Sequence, residues 1–397
     1  MNQEEDSYLF SDRISDVPRS FIREILKVAV DPAVISFAGG LPNRELFPVG
    51  PLQEASARVF AEQGRDVLQY STTEGDLGLR ECISRRYREK QGLDVPVENI
   101  LITNGSQQGL DLLGKVFLNN GDPVVIEEPG YLGAIQAFSL YRCRFEPVPV
   151  SEEGMDVPVL REAMGRNPKL MYTVPNFQNP AGISYSDENR SRVAQVLSGT
   201  RTILVQDDPY GDLRFTGEPK VSFKTLLPEQ TVLLGSFSKT VVPAFRLGWI
   251  VAPDRIMARL ITAKQAADLH TNSFSQRVIH RFLQDNDLDA HIDRITEVYG
   301  RQRNGMLKCV DRYFPEQVQC TRPEGGMFLW ATLPQGVSSM ELFETAIKDK
   351  VAFVPGHPFY VGKEWVNTLR LNFSCVDEET IEVGMKRLGR CMEKLIG

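Results

Sequence analysis

At 397 residues the chain is too long for one simple core, and ordinary size statistics give it two or three domains. Its 42% hydrophobic and 24% charged residues are those of a soluble globular protein, and a net charge of -7 argues against a general nucleic-acid binder. The acidic start MNQEEDSYLF has neither the basic opening nor the apolar run of a secretory signal, and no uncharged run is long enough to span a bilayer.

In chain order, DVPRSFIREILKVAV puts Ile22, Ile25, Leu26 and Ala29 on one helical stripe, with a cap candidate at Asp16, a proline just inside, and Arg23 off the stripe. ISFAGGLPNRELFP then breaks the helix with two glycines and two prolines, so an extended crossing loop with exposed backbone amides is expected. Between about residues 70 and 285, short apolar strands alternate with amphipathic helices: ILITNGS, DPVVIEEPG, KLMYTVPNFQNP, RTILVQDDPYGD and TVLLGSFSK. Near-continuous apolar strands of this kind predict an α/β fold, with a mostly parallel mixed sheet covered by helices and active groups at the strands' carboxyl ends. Helical patterns follow GWIVAP, and the last third, GGMFLWATL, VAFVPGHPF and TLRLNFS, alternates like strands exposed on one side before a helix from about Asp377. The expected division is residues 1–45 packing with a small α+β domain at 291–397, around a large domain at 46–290.

The residues just after the strands of the large domain are Ser106 and Gln107, Tyr131, Asn179, Asp207 and Tyr210, then Ser236, Ser238 and Lys239. Such a set suits an aromatic, phosphorylated cofactor bearing an aldehyde. NGSQQG could hold a phosphate at a helix start, although a serine there is routinely a plain N-cap. Tyr131 could stack on a flat ring, and Asp207, buried at a strand end, needs a cationic partner such as a protonated pyridine nitrogen. Two prolines, Pro175 and Pro180, stiffen the turn that aims Asn179. Lys239 has no adjacent carboxylate and follows an apolar run, a setting that lowers an ammonium pKa, while Arg246 supplies a guanidinium for the phosphate.

SFAGGLP, LQYSTTEGDLGLR, NGSQQGL, EEPGY, PNFQNPAG, DDPYGDLRF, GSFSKTVVPAFRLGW and LRLNFS together resemble fold-type I pyridoxal-phosphate-dependent aminotransferases over nearly the whole chain. Within that group they look like the 2-aminoadipate/kynurenine branch. The resemblance implies that Lys239 bonds the cofactor aldehyde, Asp207 pairs with the ring nitrogen, Tyr210 and Asn179 bond the ring oxygen, and Tyr131 stacks on the ring. Ser106, Gln107, Ser236, Ser238 and Arg246 would hold the phosphate. Arg370 and Asn179 would bind the substrate α-carboxylate, with Gly40 nearby. Tyr70 would cross a homodimer interface into the partner's site, and Arg23 would meet a distal carboxylate. Ping-pong transamination of an amino acid with a 2-oxo acid, 2-oxoglutarate first, is then expected.

Three rivals stand beside it. A decarboxylase or β-lyase would use the same cofactor residues, but an α-carboxylate clamp at Arg370 disfavours loss of that carboxylate. A regulator with an effector-binding domain of this kind carries a DNA-binding winged helix first, and with SFAGGLP starting at Ser36 no room for one is expected. A non-catalytic relic would be expected to lose Lys239 or Asp207. The histidines, His270, His280, His291 and His357, show no pairing for metal or triad chemistry, so no metal is expected. The cysteines, Cys82, Cys143, Cys309, Cys320, Cys375 and Cys391, read as reduced thiols of a cytoplasmic protein, mostly buried apolar filler.

Overall fold

The computed structural model describes residues 9–15, 31–363 and 366–397. The helix expected from Asp16, together with Arg23, lies outside them. Chain order begins with the two-residue strand β1 (Ile35–Ser36), followed by β2 (Ile100–Asn104), β3 (Pro123–Glu128), β4 (Arg144–Ser151) and β5 (Gly154–Met155). β6 (Leu170–Thr173), β7 (Ile203–Asp207), β8 (Thr231–Ser236) and β9 (Leu247–Val251) complete an eight-stranded sheet of order β2-β9-β8-β7-β6-β3-β4-β5. Its centre, from β8 to β4, is parallel, while β9 runs antiparallel to both β8 and β2.

Both faces of that centre are apolar because helices cover both. On β3, β7 and β8 successive side chains alternate between clusters: Val124 and Ile126, Ile203 and Val205, Val232 and Leu234 join one face. Val125 and Leu204 pack with Val193 and Phe223 on the other, and Leu233 with Ile83 and Val278. Side-chain caps fix where the helices start: Asp76 accepts from the Leu79 amide, Ser186 from Asn189 and Asp377 from Thr380.

The second sheet is antiparallel, in the order β10 (Gln319–Cys320), β11 (Phe328–Thr332), β14 (Thr368–Asn372), β13 (Val354–Pro355). β1 pairs in parallel with β12 (Val351–Ala352), so the segment entering the cavity region is stitched to the C-terminal part of the chain. A 26-residue helix, Leu288–Tyr313, runs across the expected boundary at 290/291.

Two expectations need correction. β14 is buried at every residue and β11 at all but its last, so these strands are not exposed on one side. The reason is that the second sheet is roofed twice: Leu369 and Leu371 join the main core, whereas Trp330 and Val354 pack with Ala38, Ala181 and Ile183. The cysteines are all free, but only Cys309 and Cys391 are buried; Cys82, Cys143, Cys320 and Cys375 are half-buried.

Candidate active site

The carboxyl ends of β2, β3, β6, β7 and β8 lie at a cavity of about 320 Å3 that β14 also reaches. Ser106, Gln107, Tyr131, Asn179, Asp207, Tyr210, Ser236, Ser238, Lys239, Arg246, Arg370 and Gly40 line it, with Val174 and Pro209. Parallel strands deliver their ends to one edge, so residues up to about 330 positions apart in sequence share a wall only when the sheet forms. Tyr70 stands apart from this cavity, 80% exposed, with its ring edge-on to His270.

Lys239 follows β8 and donates from Nζ to the Gly40 carbonyl at 2.8 Å; no carboxylate meets it among the described residues. Burial pushes its pKa down to about 8, and the Arg370 and Arg246 charges push the same way. Asp207, the last residue of β7, is 2% exposed. Its Oδ2 accepts the Tyr172 hydroxyl at 2.8 Å, and its buried Oδ1 has no partner. Burial, with the Asp208 and Glu127 carboxylates behind it, lifts this acid to about 7.

Opposite stands a polar set built on two segments. Arg370 donates from Nη1 to Asn179 Oδ1 and from Nη2 to the Ala38 carbonyl, both at 2.8 Å, and its buried Nε is unpartnered. Its guanidinium lies 4.3 Å over the Phe328 ring and 5.3 Å from Phe359, which hold the fork flat while burial lowers its pKa to about 10. Asn179 Nδ2 donates to the Tyr210 hydroxyl at 3.4 Å.

The remaining wall gathers hydrogen-bond donors. The helix Gly105–Phe117 begins without a side-chain cap: the Asn104 side-chain amide is taken by Asp268 instead, and Ser106 lies inside the first turn, not at the cap position. Gly105 has φ +72, and a Cβ there would lie 2.5 Å from Arg246 Nη2, so only glycine lets that guanidinium approach the helix start. A Cβ on Gly248 would meet the Ser106 amide at 2.7 Å. The Ser236 and Ser238 hydroxyls bond each other at 2.9 Å beside it. Free helical amides, two hydroxyls and a guanidinium are donors of the kind an anion takes. Tyr131 lies against Gly133, where a side chain would strike its ring, and Gln107 donates to the Gly133 carbonyl at 3.0 Å.

Tyr172 was missed by sequence reasoning. Its signal was a phenol within the otherwise apolar KLMYTV, a polar group that a fully buried strand must satisfy. Asp208, the residue after Asp207, accepts the Gly211 amide of the following turn and the Asn176 side-chain amide, the latter at 3.0 Å on both oxygens. No group of ligands suited to a metal occurs among the described residues.

The family profile described as Aminotransferase class I and II matches residues 39–388. The chain is similar to the aromatic-amino-acid aminotransferase 1 of Thermococcus litoralis, with 42% identity over 97% of this chain and 94% of that protein. It superposes on a Pyrococcus horikoshii kynurenine aminotransferase solved with PMP, kynurenine and its product, with TM-score 0.94, 40% identity and 98% of each chain covered. It also superposes on the α-aminoadipate aminotransferase of Thermus thermophilus complexed with N-(5'-phosphopyridoxyl)-L-leucine, with TM-score 0.91, 40% identity, and 100% and 99% of the two chains covered.

Proposed function

The chain belongs to the aminotransferase class I and II family, and we propose that it moves the α-amino group of a 2-aminoadipate-type, aromatic or branched-chain amino acid to a 2-oxo acid, 2-oxoglutarate first. The observation that carries the reading is one pair of incomplete groups on one cavity: a lysine without a carboxylate and a buried acid with a bare oxygen. Pyridoxal phosphate is the cofactor, and the residues fit it. Its ring nitrogen would complete Asp207, its aldehyde would take Lys239, and its phosphate would fill the cradle of Ser106, Gln107, Ser236, Ser238 and Arg246.

When bound, the cofactor supplies an aldehyde for the substrate amine and a protonated ring that accepts the electrons of the broken Cα–H bond. Lys239, displaced by the substrate amine, would take the α-proton; burial lowers its pKa to about 8, so it gives up its own proton more readily than an ordinary lysine. The same amine would then hand that proton back to complete the transfer. Asp207 would hold the proton of the ring nitrogen, and Tyr210 and Asn179 would donate to the ring oxygen. Arg370 would grip the α-carboxylate with Asn179, while Tyr131 would cover the ring and Gly40 would line the substrate side. A second 2-oxo acid reverses these steps, which makes the kinetics ping-pong.

A homodimer in the cytoplasm is part of the proposal. Leu68, Tyr70 and Leu269 are each exposed, as Tyr70 would be if it entered the partner's cavity to select the side chain. All six thiols being free suits a reducing compartment. The test is a panel of amino donors with 2-oxoglutarate, read as glutamate formed and as a shift of the cofactor's visible band. Release of CO2 or ammonia with no glutamate from any donor would replace this reading with a lyase.

A further inference from the structure

Behind the cavity sits a second buried acid for which the chemistry above has no use. Glu127, the next-to-last residue of β3, is 1% exposed. Its Oε1 accepts from Thr173 Oγ1 at 2.7 Å, the Val174 amide at 3.0 Å and the Tyr185 hydroxyl at 2.7 Å, and its Oε2 accepts from Gln178 Nε2 at 3.0 Å. All four donors are neutral, and all four belong to residues 173–185. Burial raises the pKa of this carboxyl and the hydrogen bonds oppose it.

That stretch is the loop whose tip carries Asn179. Gln178 is the hub: besides Glu127 it bonds the Pro129 carbonyl at 2.7 Å and accepts the Ala181 amide at 2.8 Å, so it brackets Asn179 on both sides. On the far side, Phe177 is packed by Gly325 and Gly326, and the Arg214 guanidinium lies 4.7 Å over its ring. The loop is thus hung on one carboxylate from the large sheet and pressed by glycines next to the small one. From it, Asn179 meets Arg370 at 2.8 Å and Tyr210 at 3.4 Å.

We propose that Glu127 is a positioning residue for the reaction: by gathering four donors of the 173–185 loop, it fixes the amide of Asn179 between Arg370 and Tyr210. This rests on the reading of Asn179 as a contact of cofactor and substrate. A carboxylate does this work better than an amide because it offers only acceptors, and every neighbour here is a donor. Glutamine would set an NH2 against an N–H or hydroxyl and force the loop to shift.

The experiment compares Glu127→Gln, Asn179→Ala and the double variant as holoenzymes. The pH midpoint of the visible band reports the proton on the cofactor-bonded nitrogen of Lys239; a donor to the ring oxygen draws charge from that nitrogen, and its loss keeps the proton on to higher pH. Asn179→Ala should raise the midpoint and raise KM for the amino acid about tenfold. Glu127→Gln should raise the midpoint by about half a unit and KM more than it lowers kcat. The double variant should go no further than Asn179→Ala alone. Tyr185→Phe, which removes one donor and keeps the ring, should move both readouts the same way by less, and it serves if Glu127→Gln does not fold. A shift in Asn179→Ala with none in Glu127→Gln or Tyr185→Phe overturns the role of Glu127 and leaves that of Asn179 standing. An unchanged band and KM in Asn179→Ala overturns both.

Discussion

Among the described residues, the half-buried lysine after β8 and the lysine in the helix Asp254–Asp268 both have burial pressing on their charge, and their surroundings differ in one respect. Lys264 is fully buried, yet Nζ reaches both oxygens of Asp268 at 2.7 and 2.8 Å, Gln108 at 2.8 Å and Thr271 at 2.9 Å. Lys239 has a single carbonyl. The acids repeat the contrast, since Glu127 has four donors and Asp207 leaves one oxygen bare. The two groups with complete shells are tied to the protein on every side, whereas the two incomplete ones line the cavity and leave room for a ligand, at a cost in stability that their surroundings must offset.

That contrast can be broken at both ends. Lys239→Ala should lose turnover by about 10,000-fold or more and the visible band of the lysine-bonded cofactor, with an unchanged urea midpoint for the apoprotein. Turnover within tenfold of the parent would end the assignment. Asp207→Asn, which keeps the shape but cannot hold a ring proton by charge, should lower kcat by about a hundredfold or more. An unaffected kcat would show that its bare oxygen serves some other purpose. Arg370→Met should act mainly on KM, by about thirtyfold or more, because it removes a forked contact to the carboxylate and not a proton-transfer group. A loss confined to kcat would move Arg370 from binding to chemistry.

Lys264→Met is the counter-test. Leaving Asp268 without its cation should cost about 2 kcal/mol in urea unfolding, while kcat of the folded enzyme stays within about threefold. A collapse of kcat at undiminished stability would erase the distinction between the two lysines. The smallest effect is one of pH. Asp207 titrates near 7 in the fold against 3.8 for the ordinary group, so the folded apoprotein holds its proton longer. Its contribution to stability is therefore present below about pH 4 and lost as pH rises toward 7. Asp207→Asn should flatten that part of the apoprotein's stability profile, and an identical slope in both proteins would place the acid's pKa elsewhere.

Much of the site was legible beforehand because the chemistry sits at strand ends, where a polar residue after an apolar run is visible without any fold. Lys239, Asp207, Tyr210 and Asn179 all stood out in that way, and the structure brings them to one cavity. Tyr172, Glu127 and Lys264 did not, since each lies inside a strand or helix pattern and acts through partners 4 to 156 positions away. The exposure of the second sheet was misread for a related reason: alternation tells which residues share a face, not whether something covers it.

Local periodicity, and motifs read in order, carry the succession of strands and helices, the residues at the strand ends and the family. Only the tertiary structure decided which polar groups are satisfied. Completing a shell around a buried charge takes donors and acceptors from distant segments, and whether they meet is settled when the sheets pack and exclude water.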